Sequence, residues 1–170
     1  MPTLPVLSEC IIADLPLNDD AQRIFTRIRD ARSVWLAGHI RPDLDCYGAQ
    51  TGLARALVAM GKNVRIGNSD KIPDRYAEIA PGCDCRRWDG NEPLTGFDEI
   101  LLIDASDASR IGAISTAVGW HPPLVIDHHV APSPCGELNW ILERASSSSA
   151  MVFRLLSEMG QQPDAIGARA

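Results

Sequence analysis

The chain has 170 residues, 45% of them hydrophobic and 22% charged, which is the composition of one soluble globular domain with an adequate core. Its net charge of −6 implies no broad basic surface, so tight sequence-independent binding to long nucleic acid is not favoured, whereas a small anionic substrate is compatible with a metal site. Neither a signal peptide nor a membrane span is indicated, and five irregularly spaced cysteines suggest the reducing cytoplasm rather than a disulfide framework.

The first half of the chain is predicted to alternate helices with strands. Residues 1–17 contain three prolines and are expected to form an extended N-terminal arm. Asn18 then supplies a capping side chain, whose oxygen can accept an unpaired backbone N–H at the start of a helix. The apolar periodicities that follow predict, in order, a helix over Ala21–Ala31, a strand over Ser33–Gly38, a helix over Tyr47–Gly61, a strand over Asn63–Asn68, a short helix over Pro73–Ala80 and an edge-like strand over Cys83–Trp88.

The second half continues this alternation. It predicts a strand over Glu99–Asp104, a helix over Ser106–Val118 that Gly112 weakens, a strand over Leu124–Asp127, and a helix over Ser146–Gly160. Asp164 can cap a further helix. Strands that alternate with helices predict an α/β fold, namely an open, mainly parallel five-stranded sheet with helices on both faces.

Several acidic and imidazole side chains stand at or just past the ends of the predicted strands. In parallel sheets of this type, ligands bind beyond the carboxyl ends of the strands, where the strand order reverses. The sequence therefore predicts that these groups meet in one site. They are His39, Asp43, Asp45, Asp104, Asp127, His128 and His129.

Carboxylate and imidazole ligands suit manganese, magnesium or zinc, and carboxylate-rich sets favour the harder cations. Asp43 and Asp45 lie two residues apart in a predicted loop and can point at two ions, which a carboxylate such as Asp104 can bridge. Pairs of ions roughly 3.5–4 Å apart serve phosphoryl hydrolysis. Without a cation, such a buried cluster of carboxylates would be costly, because like charges repel and lose their hydration.

Each part of this pattern also has a plain structural interpretation. Asp43–Asp45 could be a turn with solvated carboxylates, Asp104 could cap the following helix, and His128 could be a satisfied core histidine. The serines of residues 146–149 could form a linker or, as we favour, a helix cap. Their hydroxyls and amides could also receive a phosphate at the helix N-terminus. The joint pattern is far less expected by chance than any one of its parts.

Four stretches together resemble the successive motifs of the DHH phosphoesterases in order and spacing, over about residues 20–170. They are Gly38–Gly48, Ile103–Asp107, Asp127–His129 and Ala145–Ser148. The most similar branch is the nano-RNase and pAp-phosphatase type, which degrades very short RNA and dephosphorylates 3′-phosphoadenosine 5′-phosphate. The resemblance implies a Rossmann-like DHH domain.

The resemblance also implies roles for the residues. His39, Asp43 and Asp104 would hold one ion, while Asp45, Asp104 and His128 would hold the other. Manganese is the expected metal, with magnesium or another divalent cation as an option. A hydroxide that bridges the two ions would attack the phosphate.

His129 would face the scissile phosphate in this family, and Asp127 would orient the cluster. Ser147 and Ser148 are candidates for binding the substrate phosphate. We therefore expect a metal-dependent phosphoesterase that acts on short oligonucleotides or small nucleotides, with a homodimer as one option for its assembly. A non-catalytic module that binds a nucleotide or a metal is the alternative, and an α/β domain with a purely structural histidine cluster is a third.

Two positions depart from the family pattern. Leu44 stands where glycine is common, and Ala150 stands where an acidic residue is frequent. Family members also continue with a further aspartate ligand and a C-terminal substrate-binding domain. The expected organisation is thus an arm over residues 1–17 and a DHH domain over residues 18–170 that is incomplete at its C-terminal end, with the substrate-binding domain absent.

Overall fold

The computed structural model describes residues 14–80, 82–90, 93–118 and 123–161. Their six strands are β1 (Ser33–Ala37), β2 (Asn63–Asn68), β3 (Cys85–Arg87), β4 (Glu99–Ile103), β5 (Leu124–Asp127) and β6 (Leu138–Ile141). Their four α-helices are α1 (Asp19–Asp30), α2 (Leu44–Ala59), α3 (Ile114–Val118) and α4 (Ser148–Glu158), and 3₁₀ turns lie at Asp74–Ile79, Leu94–Gly96 and Ala108–Arg110. None of the helices in these segments is long and apolar enough to cross a membrane.

The strand order is β3-β2-β1-β4-β5-β6, and every neighbouring pair is parallel. The chain moves outward from β1 to β3 and then returns to place β4 on the other side of β1, so the order reverses between β1 and β4. Ala37 pairs with Leu102, and Ile103 pairs with Ile126. Because of this register, β1, β4 and β5 end at nearly the same level, and the residues that follow them meet above the crevice.

Both faces of the sheet are covered, as predicted. Alternate strand residues such as Leu36, Leu101 and Ile126 join one apolar cluster with α1, α2 and α4. Their neighbours in sequence, including Trp35 and Leu102, join a second cluster with the segment that contains α3. Parallel strands that are buried on both faces have nearly continuous apolar sequences, which is why β4 has five buried residues in succession.

Side-chain caps fix where the helices near the site begin. Asn18 Oδ1 accepts a hydrogen bond from the Ala21 N–H at 2.8 Å, as the sequence predicts. Asp43 Oδ1 accepts one from the Cys46 N–H at 3.0 Å, so α2 begins at Leu44 and not at Tyr47. The expectation that Asp45 lies in a loop is therefore wrong, because this cap places it in the first helical turn.

Two further predictions need correction. The sheet has six strands and not five, because the Leu138–Ile141 strand was not foreseen. The predicted helix over 106–118 is a 3₁₀ turn followed by the five-residue α3, separated at Gly112, whose φ is 62°. The predicted short helix over 73–80 is present as a 3₁₀ helix over Asp74–Ile79. The predicted cap at Asp164 and residues 1–13 of the arm lie outside the described residues.

An ion pair ties α1 to the sheet. The Arg27 guanidinium donates from Nε to Glu99 Oε1 at 2.8 Å and from Nη2 to Glu99 Oε2 at 2.7 Å. A third bond, at 2.7 Å, joins Arg27 Nη1 to Glu137 Oε2. The bidentate contact with Glu99 raises the pKa of Arg27, and it fixes the position of α1 over the start of β4.

Candidate metal centre

The five predicted metal ligands come together beyond the ends of β1, β4 and β5. On one side, His39 Nε2 lies 3.3 Å from Asp104 Oδ2 and 3.7 Å from Asp43 Oδ1. On the other side, His128 Nε2 lies 3.6 Å from Asp104 Oδ1 and 3.5 Å from Asp45 Oδ2. Asp104 thus presents one carboxylate oxygen to each group, which is the arrangement a bridging ligand requires.

The backbone of Asp104 adopts a left-handed conformation with φ of 63°. This region is sparsely populated by residues other than glycine, although aspartate tolerates it better than most. The turn is held because the Asp104 N–H donates to the Ile126 carbonyl at 2.9 Å. Asp104 stands immediately past β4 and is only 1% exposed. Its left-handed backbone directs the carboxylate into the space between His39 and His128.

The N-terminus of α4 holds two of these carboxylates. The backbone N–H groups of Ser148 and Ser149 donate to the two oxygens of Asp45 at 2.8 and 2.9 Å. Ser148 Oγ donates to Asp104 Oδ1 at 2.9 Å, and Ser147 Oγ caps the helix by accepting from the Ala150 N–H at 3.0 Å. The helix N-terminus is therefore engaged by the protein's own carboxylate, and a role for Ser147 and Ser148 in binding a substrate phosphate stays a prediction.

The Asp127 carboxylate fixes the position of the His129 imidazole. Its Oδ1 lies 2.8 Å from His129 Nδ1 and accepts the His129 backbone N–H at 3.1 Å, while its Oδ2 accepts the Ser106 hydroxyl at 2.6 Å. Burial raises the pKa of Asp127, but the hydrogen bonds from Ser106 and His129 outweigh it and lower the pKa overall. The carboxylate stays charged and fixes the ring through Nδ1, whereas the side chain of His129 is 43% exposed.

Sequence reasoning assigned no role to Ser106 and Cys46, and it named Ser148 only for the substrate phosphate, but all three touch this site. Ser106 and Ser148 donate to Asp127 and Asp104, and Cys46 lies beside His39 and Asp104. Each of them stands inside or directly after a recognised motif, but their contacts depend on side-chain direction, which spacing alone does not give. Burial raises the pKa of the Cys46 thiol, so the thiol is neutral in the absence of a metal.

The residues of this centre fit a divalent cation. Asp43, Asp45 and Asp104 place three carboxylates around two imidazoles, and their oxygen and nitrogen donors suit manganese, magnesium or zinc. The Asp104 carboxylate raises the pKa of His39 to about 11, and contact with Cys46 contributes in the same direction. In the protein alone, the charge of Asp104 is thus offset by a protonated imidazole, a role that a metal ion can take over.

Comparisons with known proteins extend this description. The family profile described as "DHH family, N-terminal domain" matches residues 33–169. The chain is 27% identical over 128 residues to the "Bifunctional oligoribonuclease and PAP phosphatase NrnA" of Bacillus subtilis, which is 74% of this chain and 38% of that protein. The protein of the same name from Thermus thermophilus is 28% identical over 127 residues, 75% of this chain and 37% of that one.

A solved structure shares the fold. The crystal structure of an exopolyphosphatase-related protein from Bacteroides fragilis matches with a TM-score of 0.74 and 25% sequence identity, over 83% of this chain and 44% of that one. The chain therefore spans less than half the length of each of these three relatives.

Proposed function

The chain belongs to the DHH family, and from this premise we propose that it is a metal-dependent phosphoesterase that hydrolyses short oligoribonucleotides or 3′-phosphoadenosine 5′-phosphate. The observation that carries the proposal is the position of Asp104, whose two carboxylate oxygens face His39 on one side and His128 on the other. The names of the two curated relatives support the choice of substrates.

Two sets of residues would hold the ions. One set is His39, Asp43 and Asp104, and the other is Asp45, Asp104 and His128. Two divalent cations, for which manganese is our first choice, would supply a water of lowered pKa there and would neutralise charge on the phosphate oxygens. The α4 N-terminus supports the second set, because its N–H groups orient Asp45 and leave little freedom for that carboxylate to rotate.

His129 is the residue that would meet the substrate. Its Nδ1 is held by the buried Asp127 and its side chain is 43% exposed, so Nε2 is the ring nitrogen that would meet a phosphate or leaving-group oxygen. Asp127 would act as a positioning residue, in the same way that a carboxylate fixes the tautomer and orientation of other catalytic imidazoles. Ser106 fixes Asp127 in turn.

The alternative is a non-catalytic module that binds a nucleotide or a metal. It is favoured by Ala150, which is buried next to the α4 cap at a position where the family often has an acidic side chain. Binding of metal and nucleotide without turnover distinguishes this alternative from the phosphoesterase.

The test uses the longest reading frame that contains these residues, purified with a chelator and then supplied with Mn²⁺. We expect release of mononucleotide from a diribonucleotide, or of phosphate from 3′-phosphoadenosine 5′-phosphate. Asp104→Ala should lower this activity by more than about 100-fold, because even residues that only support a metal ligand are worth 10- to 100-fold. Asp74→Ala is the matched control, since Asp74 is an exposed carboxylate paired only with the exposed Lys71 among the contacts described.

Three outcomes are distinguishable in this test. A wild type that binds Mn²⁺ and nucleotide by calorimetry but turns over neither substrate favours the binding module. A wild type that binds no divalent cation would reject the phosphoesterase and would leave the third interpretation, an α/β domain whose histidine cluster is purely structural. Equal activity of Asp104→Ala and the wild type would reject the assigned centre.

We also infer a reducing, cytoplasmic location. Among the described residues, Cys46, Cys85 and Cys135 are free thiols, which is typical of proteins that fold in a reducing compartment. A homodimer remains our proposal for the assembly, and sedimentation of the purified protein tests it.

A further inference from the structure

We propose that Cys46 is a ligand of the ion held by His39 and Asp104, so that this position accepts thiophilic divalent cations such as Zn²⁺ and Co²⁺. The inference rests on the metal centre proposed above, but it does not depend on hydrolysis. Cys46 is fully buried in the first turn of α2. Ligand atoms of His39, Cys46 and Asp104 all lie within 4.8 Å of one another.

This separation is close to what one ion requires. A zinc ion lies about 2.3 Å from a thiolate sulfur and about 2.1 Å from an imidazole nitrogen, so two such ligands are at most about 4.4 Å apart. Atoms that already lie within 4.8 Å of one another would need only a small side-chain rotation to surround one ion. Asp43 Oδ1, at 3.7 Å from His39 Nε2, is the fourth donor near the same point.

Gly38 makes room for the sulfur at this place. A Cβ atom on residue 38 would lie 2.2 Å from Cys46 Sγ and 2.9 Å from the Ile103 carbonyl oxygen, so the absence of a side chain lets the thiol fill the gap between β1 and β4. The thiol donates to the Ile103 carbonyl over 3.7 Å, which is a long and weak bond. The sulfur can therefore turn from this oxygen toward an ion at little cost.

Coordination by Cys46 would change the chemistry of the position. The thiol loses its proton to solvent when the sulfur–metal bond forms, so each bound ion releases one proton from Cys46. Thiolate is a soft ligand that favours zinc and cobalt over manganese and magnesium, whereas the position on the Asp45 and His128 side offers oxygen and nitrogen from these two residues. The two positions would therefore differ in metal preference.

The test is the optical spectrum of the cobalt-loaded protein. We expect a near-ultraviolet sulfur-to-cobalt charge-transfer band in the wild type and in Cys135→Ala, the thiol control, because Cys135 packs on the opposite face of the sheet. The band should be absent in Cys46→Ala and Cys46→Ser, while the visible bands of bound cobalt persist. Zn²⁺ affinity should fall at least about 10-fold in Cys46→Ala, with a smaller change for Mn²⁺.

The opposite results would overturn the inference. A wild type with visible cobalt bands but no charge-transfer band, or a band that survives in Cys46→Ala, would mean that Cys46 only fills space as a small apolar residue. X-ray absorption of the zinc-loaded wild type needs no variant, and the lack of a sulfur shell at about 2.3 Å would reject the proposal equally. Failure to bind any cation would instead reject the metal centre itself.

Discussion

The hydroxyl of Ser148 is a sensitive place to test how the centre is supported. In Ser148→Ala, Asp104 loses the donor that contacts its Oδ1 at 2.9 Å, while the backbone bond from residue 148 to Asp45 is kept. Ser148 and Asp104 are 0% and 1% exposed, so water cannot replace the missing donor without a rearrangement. The Asp104 carboxylate, which the two proposed ion positions share, loses the donor that orients its Oδ1.

We expect Mn²⁺ affinity to fall by about 10- to 100-fold in Ser148→Ala, which is the usual effect of removing a partner of a metal ligand. This corresponds to about 1.4–2.7 kcal/mol of binding free energy. The assay is calorimetric titration of chelator-treated protein, with urea unfolding in the presence of chelator to confirm that each variant is folded at the temperature used.

Ser149→Ala is the matched control. Ser149 stands in the same helical turn and also keeps its amide on Asp45, but its hydroxyl donates at 3.3 Å to the backbone carbonyl of Asp45 and not to a ligand oxygen. We expect less than a twofold change in Mn²⁺ affinity for this variant. If Ser148→Ala binds Mn²⁺ as the wild type does, or if both variants weaken binding equally, the supporting role assigned to the Ser148 hydroxyl is wrong.

Three further predictions concern the stability of the fold. Arg27→Met should lower the free energy of unfolding in urea by about 1–3 kcal/mol, because it leaves the largely buried Glu99 carboxylate unpaired. The partial exposure of the guanidinium limits the size of this loss. Unchanged stability would contradict the prediction. Gly38→Ala should destabilise the protein by about 1–3 kcal/mol, because its Cβ would overlap Cys46 Sγ, and a thermal midpoint equal to that of the wild type would contradict the close approach. Hydrogen bonds from two backbone N–H groups at the start of β1 lower the pKa of Asp98. The charged Asp98 carboxylate therefore stabilises the fold at pH values above 3.8, the ordinary pKa of aspartate, and this stabilisation is lost as the pH falls below that value. Asp98→Asn should therefore flatten the acid limb of a plot of stability against pH, and a curve parallel to that of the wild type would reject this role.

The strands that carry the site could be predicted from the sequence because they are short, apolar and bounded by turn residues. The Leu138–Ile141 strand could not, for two reasons. Its polar Asn139 interrupts the apolar run, and the described residues between Asp127 and Leu138 contain no helix, although parallel strands are usually joined through one. The alternation of strands and helices, on which the five-stranded prediction depended, fails at this connection.

The meeting of the candidate ligands in one place could also be predicted, because each of them directly follows a strand or lies in a recognised motif. Their supporting contacts could not. Ser148 and Asp104 are 44 residues apart in sequence, and Ser106 and Asp127 are 21 apart, so nothing in local spacing indicates that they touch. The early start of α2 was missed for a local reason, since Asp43 was interpreted as a ligand alone and not also as a helix cap.

The strands β1, β4 and β5 end at nearly the same level, and the residues at and after these ends make up the proposed ligand set. The set therefore exists only after these three strands have assembled. An unfolded chain keeps the carboxylates and imidazoles of this set scattered over residues 39–129 and has no comparable affinity for an ion. Divalent cations should therefore stabilise the native state, raising the free energy of unfolding by about 2.7 kcal/mol when their free concentration is 100 times the dissociation constant. The melting temperature would then report occupancy of the centre without any substrate.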